Sequence, residues 1–114
     1  MSYPRRGEIY WVKLDPTIGS EIAKTRPALI ISNDIGNQFS DRVIVAPISA
    51  SSTDKVYPFE VLLSAGEGGL PRESKVLLDQ IRTVDKRRLG EKLGVLSPER
   101  MQEVNRAIRL SLNV

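Results

Sequence analysis

Two short apolar runs constrain the fold of this chain more than any other feature. They are Pro27-Ala28-Leu29-Ile30-Ile31-Ser32 and Val43-Ile44-Val45-Ala46-Pro47-Ile48. Both are rich in β-branched residues, are too short for a stable helix and lack strict alternation, so both read as strands buried on two faces. Each carries a polar group at one end. Arg26 stands directly before Pro27, and Ser49 directly follows Ile48. A guanidinium and a hydroxyl at strand ends can converge on one phosphate.

The remaining elements are short. Glu8 to Leu14, with Ile9, Tyr10, Trp11 and Val12, reads as a first strand, and residues 15 to 24 as a long loop. A loop of that length in a compact domain is usually functional or mobile. Asn33 and Asp34 are placed to cap a short helical turn through Phe39. Val56 to Leu63 reads as an edge strand broken by Pro58. Gly66 to Pro71 reads as a flexible turn, Lys75 to Val84 as one long strand, Asp85 to Leu89 as a polar turn and Glu91 to Leu96 as a short strand. Ser97-Pro98-Glu99 has the chemistry of a helix start. Met101, Val104, Ile108 and Leu112 then form a stripe at helical spacing. The expected fold is mostly β with a C-terminal helix, a small barrel or strongly curled sheet, in one domain over residues 1–114.

Composition removes many chemistries. The 114 residues include no cysteine and no histidine. Thiol nucleophiles, disulfides, thiolate zinc sites and Ser-His-Asp hydrolysis are therefore excluded. The carboxylates Asp15, Glu21, Asp34 and Asp79 lie at no metal-binding spacing, and no phosphate-binding glycine motif occurs, so neither metal nor cofactor is expected. No apolar run approaches the roughly 20 residues that span a bilayer. No secretory signal is visible, and the expected location is cytoplasmic. The net charge of +3 is mildly favourable for a polyanionic partner.

Individual candidates admit two readings. Arg26 either binds a phosphate through its planar fork or makes a surface ion pair. Ser49 either donates to a phosphate or caps the turn formed with Ser51, Ser52 and Thr53. Gln80 and Arg82 either contact nucleic acid or form the polar outer face of a half-buried strand. Lys86-Arg87-Arg88 either tracks a phosphate backbone or is a solvated turn.

Taken together, Arg6-Gly7-Glu8-Ile9-Tyr10-Trp11-Val12, Gly19-Ser20-Glu21, Lys24 to Asp34, Val43 to Ser49 and Leu78 to Asp85 resemble the MazF/PemK family of toxin endoribonucleases. The resemblance covers nearly the whole chain. It implies an SH3-like β-barrel acting as a homodimer, metal-independent cleavage of single-stranded RNA at a short sequence, and a cognate antitoxin protein. It assigns Arg26 and Ser49 to catalysis and Glu21, Lys24, Thr25, Gln80 and Arg82 to RNA binding, with residues 15 to 25 as a mobile loop beside the site. The attacking group would be the RNA's own 2′-hydroxyl, leaving 2′,3′-cyclic phosphate and 5′-hydroxyl ends. The alternative is a non-enzymatic, CcdB-like gyrase poison of similar fold.

Overall fold

The computed structural model describes residues 2–114. In chain order the elements are β1 (Glu8–Lys13), β2 (Thr25–Ile30), α1 (Asp34–Phe39), β3 (Arg42–Ser49), β4 (Glu60–Leu63), β5 (Ser74–Leu77), β6 (Arg82–Asp85), β7 (Leu89–Val95) and α2 (Pro98–Leu112). Every strand pairing is antiparallel. The sheet runs β4-β5-β3-β2-β1-β7, and β6 lies beside the first half of β3. The path ends on β4 and β7 without closing, so the expected small barrel is an open, barrel-like sheet. Among the described residues no helix is long and apolar enough to cross a membrane.

The two apolar runs form β2 and β3 because both faces of the sheet centre are covered. Leu29, Ala46 and Ile48 face one cluster, which Val104 and Ala107 of α2 and Leu70 complete. Ala28, Ile30, Val43 and Val45 face the other, with Val12, Leu14 and Val84. Successive residues of β2 thus serve opposite cores, which is why alternation is absent from its sequence. Each fully buried aliphatic side chain contributes about 1.5–3 kcal/mol of transfer free energy.

The ends of the elements follow local chemistry. The Asn33 side chain accepts from the amide of Gly36 and starts α1. The Ser97 side chain accepts from the amide of Arg100 and starts α2, and Asn113 ends α2 in the left-handed conformation. Val104 and Ala107 are buried and Met101 and Ile108 half-buried, but Leu112 is 57% exposed, so the stripe is shorter than its spacing suggests. At the other end of the chain, Arg6 donates from Nε to the Ile31 carbonyl and from Nη2 to Asn105 of α2. Glu8 is buried where β1 meets β7. Burial pushes its pKa up, but hydrogen bonds from Lys92, the Arg5 amide and Tyr10 outweigh that and hold it below the ordinary value. Burial, reinforced by Glu8, pushes the Tyr10 hydroxyl up to about 12.

Three expected elements are corrected. Only Glu60–Leu63 is strand in the 56–63 region, because Pro58 cannot donate to a ladder and residues before Glu60 turn instead. Lys75 to Val84 is two strands, β5 and β6. Both pair with β3, at Ile48↔Val76 and at Val45↔Arg82. Three steps along β3 therefore face six steps along its neighbour, and the surplus leaves the ladder around Asp79, Gln80 and Ile81. Gly66 to Pro71 is pinned rather than flexible. Leu70 is 2% exposed, and a Cβ on Gly69 would lie 2.1 Å from the Leu93 carbonyl oxygen.

Gly69 also has a φ of +78°. Gly69→Ala is expected to cost about 2–3 kcal/mol of stability through backbone collision. Gly19→Ala, where nothing lies within 4 Å of the added carbon, is expected to cost about 1 kcal/mol, from its positive φ alone. Denaturant melts of the two variants check the contrast.

Candidate active site

The register of β2 and β3 brings the two strand-end groups together. Ala28 pairs with Pro47 and Ile30 with Val45. Continued for two residues, the same register sets Arg26 opposite Ser49. Ser49 is also the cross-strand partner of Lys75 on β5, and Arg26 that of Val12 on β1. Arg26, Ser49 and Lys75 therefore form one row on one face. That face is apolar at its Ala28, Ile30, Val43 and Val45 end. It becomes polar at the row of Arg26.

The row has free hydrogen-bonding capacity. Arg26 donates from Nε to the Ala23 carbonyl at 3.0 Å, which orients the guanidinium. Its two terminal nitrogens meet no acceptor among the described residues. Ser49 is 9% exposed, and its Oγ accepts from the amide of Ser51 at 3.1 Å. The hydroxyl hydrogen is left for another acceptor. The turn-cap reading of Ser49 is thus correct, and it leaves the donor function intact. Lys75 is buried and donates from Nζ to Glu60 Oε1 and to the Lys55 carbonyl, both at 3.0 Å.

The long loop after β1 is tied down on both sides. The Ile22 amide donates to Gln80 Oε1 at 2.8 Å, while the next residue, Ala23, accepts from Arg26. Arg82 donates to the Leu14 carbonyl at 2.9 Å, and Arg88 to the carbonyls of Lys13 and Asp15. Between the loop and the bulge at 79–81 lies a groove of about 490 Å³, lined by Ile18, Glu21, Asp79, Gln80 and Arg82. Glu21 accepts from the Ile18 amide at 2.7 Å within the loop itself.

Of the seven residues predicted from sequence, Glu21, Gln80 and Arg82 line this groove; Arg26 lines another pocket and reaches the groove's loop through its bond to Ala23, and Ser49 lies across the β2–β3 register from Arg26. Lys24 and Thr25 do not line the groove. They border a separate recess of about 290 Å³ with Lys13 and Asp15. Thr25 also edges a pocket that holds Trp11, Arg26 and Arg72. Gln80 and Arg82 are more than a polar outer face, because each holds a backbone group of the loop. In the basic run 86–88, Arg88 supports the loop's first residues, while Arg87 is solvent-exposed and pairs with Asp85 at the surface. Sequence reading missed Lys75, Glu60 and Arg72.

Gln80→Ala removes the acceptor for the Ile22 amide, a net loss of about 1 kcal/mol. Amide exchange at Ile22 is then expected to quicken roughly fivefold, read by two-dimensional NMR. Unchanged exchange would mean that other contacts hold the loop.

Comparison with known proteins places these features in a wider setting. Residues 5–112 match the family described as PemK-like, MazF-like toxin of type II toxin-antitoxin system. The chain is 44% identical over 108 residues to the endoribonuclease EndoA of Bacillus subtilis, covering 95% of this chain and 93% of that protein. It is 46% identical over 110 residues to the endoribonuclease MazF of Staphylococcus saprophyticus, covering 96% and 92%. Among solved structures it superposes on MazF from Deinococcus radiodurans with a TM-score of 0.85 at 30% identity, over the whole of both chains. A mycobacterial endoribonuclease in complex with its cognate antitoxin gives 0.80 at 26% identity, over 97% of this chain and 96% of that one.

Proposed function

The chain belongs to the PemK-like, MazF-like toxin family, and on that premise we propose that it is a toxin endoribonuclease that cuts single-stranded RNA at a short sequence without a metal. Relatives 44% and 46% identical that are themselves named endoribonucleases support RNA cleavage over the gyrase-poison alternative. The observation that carries the reading is the row formed by Arg26 and Ser49. It offers an unfilled guanidinium fork and a hydroxyl donor on one face, with Arg26 tied through Ala23 to the loop that walls the groove.

That pair suits attack by the RNA's own 2′-oxygen. The bond from 2′-oxygen to phosphorus forms, and the bond from phosphorus to the 5′-oxygen breaks. The proton leaves the 2′-hydroxyl, and the departing 5′-oxygen gains one. Charge grows on the non-bridging oxygens at the pentacovalent stage. Arg26 stabilises it through two parallel donors and Ser49 through one. Glu21, Gln80 and Arg82 hold the strand in the groove, and Lys24 and Thr25 guide it at the edge. Fixing the 2′-oxygen in line supplies further acceleration, since attack within one nucleotide needs no second reactant.

The same reading makes residues 1–114 one toxin domain, working as a homodimer in the cytoplasm and held in check by a cognate antitoxin. The complexed mycobacterial relative supports the antitoxin partner.

Purified protein in EDTA is expected to cut a long, weakly structured RNA at one recurring sequence, mapped by primer extension. The 5′ ends should accept phosphate from polynucleotide kinase without prior phosphatase. Arg26→Ala and Ser49→Ala should each lose about 10²–10³-fold in kcat, while Ser49→Thr keeps most activity. Wild-type cleavage that requires a divalent metal, or equal rates in the alanine variants, would contradict the reading.

A further inference from the structure

The segment between β3 and β4 carries an aromatic shelf that the RNA site as described does not use. Tyr57 and Phe59 stack with centroids 5.5 Å apart and planes 1° from parallel. Tyr57 is nevertheless 43% exposed. Two cations lie near its ring, Lys55 Nζ at 5.2 Å and Lys75 Nζ at 5.9 Å from the centroid. An exposed aromatic flanked by cations suits a nucleobase with its phosphate: the ring takes the base, and a lysine takes the charge.

The shelf adjoins the catalytic row. Lys75, one of the two cations, is the cross-strand partner of Ser49. Arg26, Ser49 and Lys75 step across three neighbouring strands, so the Lys75 backbone lies about 10 Å from that of Arg26, and the Tyr57 ring lies next to the Lys75 ammonium. Its backbone is also fixed. Lys75 Nζ donates to the Lys55 carbonyl, and Glu60 Oε1 accepts from both Lys75 and the Tyr57 amide. The Glu60 amide donates back to the Tyr57 carbonyl at 2.9 Å. A buried ion pair, its side chains 8% and 7% exposed, thus holds an aromatic ring outward. Burying the ring would have been simpler for stability alone.

We propose that Tyr57, backed by Phe59, is a stacking subsite for a base of the RNA that flanks the scissile phosphate, with Lys55 meeting that nucleotide's phosphate. In the free protein the Lys55 ammonium lies over the ring. On binding, the base takes that place and the ammonium shifts to the phosphate. Stacking tolerates every base, so the subsite adds affinity and fixes the path of the strand rather than reading sequence. Lys75 and Glu60 are positioning residues that keep the shelf aligned with Ser49. The inference rests on the ribonuclease reading for the identity of the ligand.

The test uses full-length protein and a fluorescein-labelled RNA containing one cleavage sequence. A second set of RNAs is abasic at one flanking position at a time. Affinity is measured in the Arg26→Ala background, where bound RNA survives, so the result does not depend on cleavage. Tyr57→Ala is expected to weaken binding about tenfold to a hundredfold. One abasic position should weaken binding to the protein with intact Tyr57 by a similar factor, yet cost nothing further in Tyr57→Ala. Tyr57→Phe and Tyr57→Trp should bind like the parent. In the otherwise wild-type enzyme, Tyr57→Ala should raise KM and leave kcat nearly unchanged. Unchanged affinity in a Tyr57→Ala variant with a native melt overturns the subsite. So does unchanged RNA binding with weakened antitoxin inhibition, which would make the shelf a protein contact. Failure of the wild type to cut any RNA would count against the ribonuclease reading alone, because binding still reports on the shelf.

Discussion

A slip of one residue between β2 and β3 would turn Arg26 and Ser49 to opposite faces of the sheet. Burial on both sides forbids that slip. Leu29 and Ala46 face one core while Ala28, Ile30 and Val45 face the other, and any shift would exchange residues matched to each. The apolar sequence of these strands therefore does more than stabilise them. It fixes their register, and the register sets an arginine and a serine side by side at the strand ends. Pro47, which pairs with Ala28 near the end of the bonded ladder, lies just before the point where the polar row begins.

The second constraint is the surplus chain between β5 and β6. Because three residues of β3 face six of its neighbour, the segment around Gln80 must leave the ladder. It then meets the loop that follows β1. Gln80 grips Ile22, Arg26 grips Ala23, and Arg82 and Arg88 grip the carbonyls where the loop begins. The loop that walls the groove is thus tied to Arg26 on one side and to the groove's far edge on the other.

Much of this was legible in the sequence, for reasons that can be named. The caps Asn33 and Ser97 act locally, so both helices begin where residue chemistry predicts. The apolar runs became strands because nothing else accommodates them. The break in residues 75–84 was not legible, since Val76, Leu77 and Leu78 are apolar throughout and no glycine or proline marks the bulge. It arises from pairing with β3, a long-range event. Lys75 was hidden for a related reason: only the pairing reveals that it neighbours Ser49, and only the fold supplies Glu60 to neutralise it. Lys24, which precedes β2, borders a different recess with Lys13 and Asp15, while Thr25 edges both that recess and the pocket that holds Arg26.

The most direct test of the paired arrangement is a double-mutant cycle on kcat with Arg26→Ala, Ser49→Ala and the combined variant, on one defined RNA. If both groups hold the same phosphate in the transition state, the double variant should lose far less than the product of the single losses. Losses that simply multiply would mean that the two residues act independently, and would contradict a shared site built by the β2–β3 register.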